Sequence, residues 1–431
     1  MRGGLGLELA TQIVVSVAVL TAVAAGVTAA AAAPDAPPSP LPQREIAPML
    51  KIAWQRGPNL PQGFQDSDVG LVGTNLITAC GFCQGGDDSR KPGHYPRGFL
   101  NKVWAFDIAA PDKGWVSLPD HPATPRQGIM GTTIGGAFYC WGGFNYSAPN
   151  CYADGYRLSR LEHGHSCPCG PGKSAWAPRK DDEWTWDALP SLPWPLTAAG
   201  ICSIGSRIYM FGGADYEEDF STNADRHGHN PRLGARLLVF DTRAIEGGWK
   251  RLTDCPGTPR LGMAVAAVGG KIYVIGGASA GGPGKPYRSV VDNWRYDVRK
   301  DKWERTRDLP TSSSIFPDNK IVFAARYILL VGGFQYREVA NPDGSVRPAY
   351  GTPHKFADQG EYFNDVFVYD THADLFGAAD PLPINNATPM TLVRGNEIFV
   401  LGGESDPREI DGEYYGHHPD LFLQGKITLA K

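Results

Sequence analysis

The stretch KIYVIGGA, Lys271 to Ala278, decides the fold. Ile272 to Ile275 reads as a short buried strand, and paired glycines stop it. The same shape recurs in AFYCWGGF (Gly142-Gly143), RIYMFGGA (Gly212-Gly213), YILLVGGF (Gly332-Gly333) and EIFVLGGE (Gly402-Gly403). A degenerate copy, NLITACGF, keeps only Gly81. Counted from Gly81 through the first glycine of each pair, the copies lie 61, 70, 64, 56 and 70 residues apart. Six copies with long, uneven insertions imply a repeat architecture and one large body.

Four strands can be read around each copy. In the fourth, LGMAVAAVGG is a small apolar strand and KIYVIGG follows a tight turn. SVVDNWRYDVRK then places Trp294 and Tyr296 at alternate positions, and DKWERTRDLP opens an outer strand with Trp303. Alternation of this kind is strand periodicity. MLKIAWQRGPNLP, Met49 to Pro61, reads as an outer strand standing before the first repeat. The last repeat ends at DLFLQGKITLA without one. The N-terminal piece is therefore expected to complete the sixth unit and leave no open edge.

Paired glycines after an apolar strand, an aromatic-x-aromatic-Asp third strand and a later Trp resemble kelch repeats. That resemblance covers about residues 48 to 430. It implies an all-β, six-bladed kelch-type β-propeller with one four-stranded antiparallel blade per repeat, the ring closed by the N-terminal strand. It fixes fold, not function.

Composition agrees with many short strands joined by turns: 53 Gly, 36 Pro and 20% charged residues. Net charge is −4 with no basic block, which argues against nucleic acid. Residues 1–33 read as a secretory signal peptide, with Arg2, an apolar run from Ile13 and alanines suited to cleavage near Ala33. The alternative is an uncleaved anchor from Thr11 to Ala33. A Pro-rich linker, 34–47, and the propeller, 48–431, follow, with no second membrane span. A secreted or periplasmic location is expected. In such an oxidising compartment, Cys80, Cys83, Cys151, Cys167 and Cys169 are disulfide candidates with open connectivity, while Cys140 and Cys202 read as buried thiols.

Strand alternation puts the connections from second to third strands on one face, together with the links into each inner strand. Most long insertions fall there: Asp215 to Arg236, Ala278 to Ser289, Phe334 to Glu361 and Glu404 to His418. This insertion face is the expected binding face. Tyr146, Tyr216 and Tyr336 share one offset after their glycines and suit a sugar, or else pack the blade ends. Arg126 and Arg260 lead into inner strands, where they hold an anionic ligand or form a salt-bridge ring. Asp66, Asp68, Asn385 and Asn386 occupy comparable places. HGHSCPC, His163 to Cys169, lacks the usual zinc spacing and lies on the opposite face, so no resident metal is expected there. The acidic runs YEEDF and DPREIDGEYY leave Ca²⁺ open, without a regular ligand spacing.

In plan the chain is similar to the exported bacterial N-acetylneuraminate epimerases, six-bladed kelch mutarotases. They use a Glu directly after the paired glycines as proton acceptor, with an Arg nearby. Here Glu404 follows Gly402-Gly403 and Arg408 comes next. The family's Glu lies in a middle blade, where this chain has Ala214 and Ala278. Galactose oxidase is also similar in its propeller, but its copper-binding Tyr-His arrangement has no match here. The expected function is binding of a carbohydrate or other small polar ligand at the insertion face. Acidic-sugar mutarotation and an extracytoplasmic protein partner are the alternatives.

Overall fold

Burial peaks in the second strand of a repeat and is low in several of the outer strands. Tyr327–Val331 (YILLV) is buried at four of five positions, as is Lys271–Ile275, whereas Trp115–Ser117 exposes two of three. Strands covered on both faces must be apolar throughout, and edge strands need not be. The computed structural model describes residues 46–430 except 84, 86–96, 148, 161–183, 216–231, 281–286, 311–320, 337, 342, 349–360 and 407. The signal-peptide and linker expectations, Tyr216, the run YEEDF, and HGHSCPC with Cys167 and Cys169 all lie outside these residues.

Among the described residues, six four-stranded antiparallel sheets follow the repeats. The first blade runs Asp68–Val72, Asn75–Cys83, Gly98–Asp107 and Trp115–Ser117. The second runs Met130–Ile134, Ala137–Trp141, Gly155–Arg160 and Trp184–Leu189. The third has Gly200–Ile204 innermost, the fourth Ala264–Val268, the fifth Val322–Phe323 and the sixth Met390–Arg394. These six inner strands touch in cyclic order, the sixth returning to the first. The outer strand of the sixth sheet is Leu50–Arg56, paired antiparallel with Phe422–Leu429 from Leu50↔Leu429 to Arg56↔Leu423.

In four glycine pairs the first N–H bonds within its own blade and the second reaches across to the next repeat. Gly143 N–H donates to Leu196 O at 2.9 Å, Gly213 to Arg260 O at 2.9 Å, Gly333 to Asn386 O at 2.7 Å and Gly403 to Phe64 O at 2.9 Å. Each acceptor belongs to the segment leading into the next blade. The first glycine lies so close that a Cβ on Gly142 would stand 2.2 Å from Leu196 O. A side chain there would push the blades apart. Outer-strand tryptophans make a second link. Trp115, Trp186 and Trp303 donate Nε1–H to Pro58 O, Pro119 O and Thr253 O, each on the preceding connection.

The first repeat corrects its sequence alignment by one residue. Gly81 N–H donates to Arg126 O at 2.9 Å, so Gly81 is the second glycine of its pair and Cys80 replaces the first. Cys80 takes the left-handed conformation (φ 64) at a bulge between Ala79 and Gly81. The disulfide expectation is also corrected. Cys80, Cys83 and Cys151 are free buried thiols, as are Cys140, Cys202 and Cys255. Cys80 packs with Ile77, Val103 and Phe138, whereas Cys83 packs with Leu60, Phe64 and Trp104 in a different cluster. Their side chains leave the strand toward different neighbours, so pairing is blocked despite the short spacing.

Two insertions fold on each other at the insertion face. Ala278–Ala280 and Tyr287–Val290 from blade four join Glu338–Ala340 and Val346–Pro348 from blade five in one sheet, through a parallel pair at Ser289↔Val339. The run DPREIDGEYY contributes a hairpin, Arg408–Ile410 with Glu413–Tyr415, and Glu413 is ion-paired to Arg56. No helix among the described residues is long and apolar enough to cross a membrane.

Candidate functional site

A collar of backbone bonds runs where the chain turns into the inner strands. Gly128 N–H donates to Asp66 O (2.7 Å), Ala198 to Gly128 O (3.3 Å) and Gly262 to Ala198 O (2.9 Å). Asp66, Gly128, Ala198 and Gly262 all adopt positive φ, 49 to 64°. Asp66 and Ala198 carry a Cβ in this conformation, which the collar enforces.

Asp66 is the only acid on this described part of the collar. Gln127 Nε2 donates to its Oδ2 at 2.9 Å, and Gln65 Nε2 approaches the same oxygen at 3.4 Å. Asp66 is half-buried by exposed area but enclosed by the blades. Burial, then the charge of Glu404, pushes its carboxyl up to about 7. A carboxylic acid in that range can exchange a proton near neutral pH.

Glu404 follows the glycines of blade six, on the same face. His417 Nε2 meets its Oε1 at 2.8 Å, and His417 Nδ1–H donates to Ser405 O at 3.0 Å. Tyr362, from the strand pair Phe334–Gln335 with Glu361–Tyr362, hydrogen-bonds Glu404 as well. Burial raises Glu404, but His417, the neighbouring His418 and Tyr362 together hold it below the usual carboxylate range. His418 is buried beside His417, ring centroids 5.1 Å apart, and against Phe82 at 5.9 Å. Burial drops His418 to about 4, so its imidazole is neutral at pH 7. Glu404, His417 and His418 offer ligand atoms within 4.8 Å of one another and could hold a metal ion. As it stands, the 2.8 Å contact is the length of a hydrogen bond, and the three form a linked acid/base group.

Of the two roles expected for the arginines, the ion-paired one describes their place in the fold. Arg126 and Arg260 are 1% and 0% exposed. Arg126 donates to Thr124 O, to Gly142 O at 3.1 Å and to Asp154, and it stacks on Tyr152 at 3.7 Å. Arg260 donates to Thr258 O, to Gly276 O at 3.2 Å and to Asp292. Both are spokes that bind the first glycine's carbonyl of their own blade, and neither reaches the mouth. Asn386 plays the same part in blade six, donating to Gly402 O at 2.7 Å. Asn385 donates instead to Asp406 Oδ2 at 3.4 Å.

The tyrosines occupy two separate groups. Tyr146 packs with Phe82, Phe99 and Phe144. Tyr336 stacks on Tyr287 and meets Phe334. Burial, with Tyr287 and Glu404 nearby, raises the Tyr336 hydroxyl pKa, so it stays protonated. Arg408 sits exposed on the hairpin. The exposed guanidinium beside the cluster is Arg97, 5.7 Å above the Phe82 ring. Sequence reasoning missed Arg97, Tyr362, His417, His418, Gln65 and Gln127. The adjacent histidines just before the third strand of blade six were the available signal.

This fold and repeat define the class: the protein is a kelch-repeat β-propeller. The kelch motif is matched at residues 259–310. The solved structure of YjhT shares the fold, with a TM-score of 0.56 over 87% of this chain and 99% of that one, at 16% identity. Among relatives, the N-acetylneuraminate epimerase of Yersinia enterocolitica is 25% identical over 40% of this chain and 47% of its own length. That of Escherichia coli O6:H1 is 26% identical over 41% and 50%, so the chain matches about half the length of both. The epimerase of Haemophilus influenzae is 19% identical over 82% of this chain and 88% of its own.

Proposed function

We propose that the protein is an exported enzyme that exchanges the anomers of an acidic sugar of the N-acetylneuraminate kind, bound at the mouth of the insertion face. The observation that carries this is the opposite poise of two carboxyls from neighbouring blades. Glu404 is held ionised by its hydrogen bonds, and Asp66 is pushed up to about 7. Two such groups, driven apart by their surroundings, are suited to base and acid roles. Glu404 takes the proton of the anomeric hydroxyl as the ring C–O bond breaks. Asp66 gives a proton to the departing ring oxygen, and the reverse steps close the ring on the other face. Arg97 supplies the cation for the sugar carboxylate, and the aromatic wall of Phe82, Phe99 and Tyr146 offers the apolar surface a pyranose ring needs. The names borne by the bacterial relatives support the same substrate class.

The test is exchange NMR on N-acetylneuraminate anomers with the purified protein. Exchange above the spontaneous rate is expected, together with its loss in Glu404→Gln. Exchange no faster than in buffer, or undiminished in that variant, would sink the reading.

A further inference from the structure

Two amide side chains beside Asp66 have buried oxygens with no partner among the described residues. Gln65 and Gln127 hold the same place in blades one and two. Each exchanges two backbone hydrogen bonds with the residue after the glycines, Phe82 and Phe144. Each amide turns its N–H toward Asp66 Oδ2. While Asp66 is ionised this orientation is the favoured one, because an amide oxygen facing a carboxylate would be repelled. The Oε1 atoms of both glutamines are left buried and without a partner among the described residues. Thr388 leads into the inner strand of blade six, two residues after Asn386, as Asp66 stands two after Phe64. Its hydroxyl hydrogen-bonds Asp66 and draws that acid down, against the rise from burial. Gln127 and Thr388 are only 4% and 7% exposed.

A buried acceptor without a donor costs about 1–3 kcal/mol, so native folds seldom keep one idle. Other blades show how the glutamine position is otherwise resolved. In blade three it is Thr197, whose hydroxyl donates to Gly128 O at 2.9 Å. In blade four it is Leu261 and in blade six Ala387, which are apolar. At this one position, the idle acceptors therefore fall in blades one and two, beside Asp66.

We propose that Gln65 and Gln127 form a hydroxyl-reading subsite, which seats neighbouring O–H groups of a polyhydroxylated ligand against the two amide oxygens. Its ligand class rests on the sugar reading above. The subsite sets which sugar is bound and how its ring lies relative to Asp66, and it takes no part in proton transfer.

Calorimetric titration with N-acetylneuraminate, paired with thermal unfolding, tests this on wild type, Gln65→Leu and Gln127→Leu. Gln65→Leu is the cleaner variant, because the bond it removes from Asp66 is long at 3.4 Å. The expected result is about a tenfold loss of affinity in each, with Tm unchanged or raised, since removing an idle buried acceptor relieves its cost. Unchanged affinity in both variants overturns the subsite and leaves the acid/base reading standing. Loss of affinity together with loss of Tm in both assigns the glutamines a packing role and overturns it too. Absence of sugar binding by wild type removes both readings at once. A sugar-bound crystal structure with only water on the two amide oxygens would also overturn the subsite.

Discussion

The spokes of blades two and four and the mouth between blades six and one both bury charge, and they treat it in opposite ways. Arg260 and Asp292 are wholly enclosed and meet each other, with Trp294, Thr258 and the Gly276 carbonyl using the remaining positions. Burial raises Asp292, but the Arg260 charge and the hydrogen bonds from Trp294, Arg260 and Thr258 together outweigh it and hold the carboxyl below its ordinary range. At the mouth, Asp66 meets no such counter-ion among the described residues, sits near a second carboxylate, and has two idle amide oxygens beside it. A closed charge locks a blade. A charge left short of partners keeps a proton mobile and retains capacity for a ligand.

The largest expected effect lies at the mouth. Asp66→Asn or Glu404→Gln should slow anomer exchange by about 10²–10⁴-fold while the protein stays folded, measured by exchange NMR and circular dichroism. If the spokes carried function instead, these variants would change little.

Next comes the spoke. Arg260→Ala strands the Asp292 charge and should cost about 3–5 kcal/mol in urea unfolding. Replacing Asp292 as well, by Leu in an Arg260→Met background, should recover much of that loss. Equal stability of the single variant and wild type would erase the contrast between the regions.

The pH profile sharpens the comparison further. Asp66 acts as an acid only while protonated, so exchange should fall as pH rises through about 7. Glu404 lies below its ordinary range, so the acid-side limb should lie beneath the usual glutamate pKa. A rate flat from pH 5 to 9 would remove Asp66 from the chemistry.

The smallest effect concerns stability. A carboxyl raised in the fold contributes stability at pH below its unfolded value of 3.8, and this is lost as pH climbs through about 7. Asp66→Asn should therefore gain roughly 2–4 °C in Tm over wild type at pH 8 and nothing at pH 4. A gain of the same size at both pH values would point to packing rather than charge.

Much of the fold was legible because the glycine pairs do a backbone job that few residues can replace. The offset in repeat one was hidden because Cys80 adopts the glycine conformation without being glycine. The site was less legible. An arginine leading into an inner strand looks alike whether it reaches outward or inward. Its partners, Asp154 and Asp292, stand 28 and 32 residues downstream and are joined to it only by the blade. Asp66 and Glu404 could be singled out by position. His417 and Tyr362 arrive from insertions of irregular length, where no period marks a place.

The pairing of Leu50 with Leu429 has a consequence for biosynthesis. Leu50–Arg56 can find its partner only when Phe422–Leu429, made after the other blades, has left the ribosome. Five blades can assemble as the chain emerges, but the sixth waits, and with it the junction where Glu404 meets Asp66. Termination ahead of Phe422 would therefore spare most of the sheets and still leave the ring unsealed.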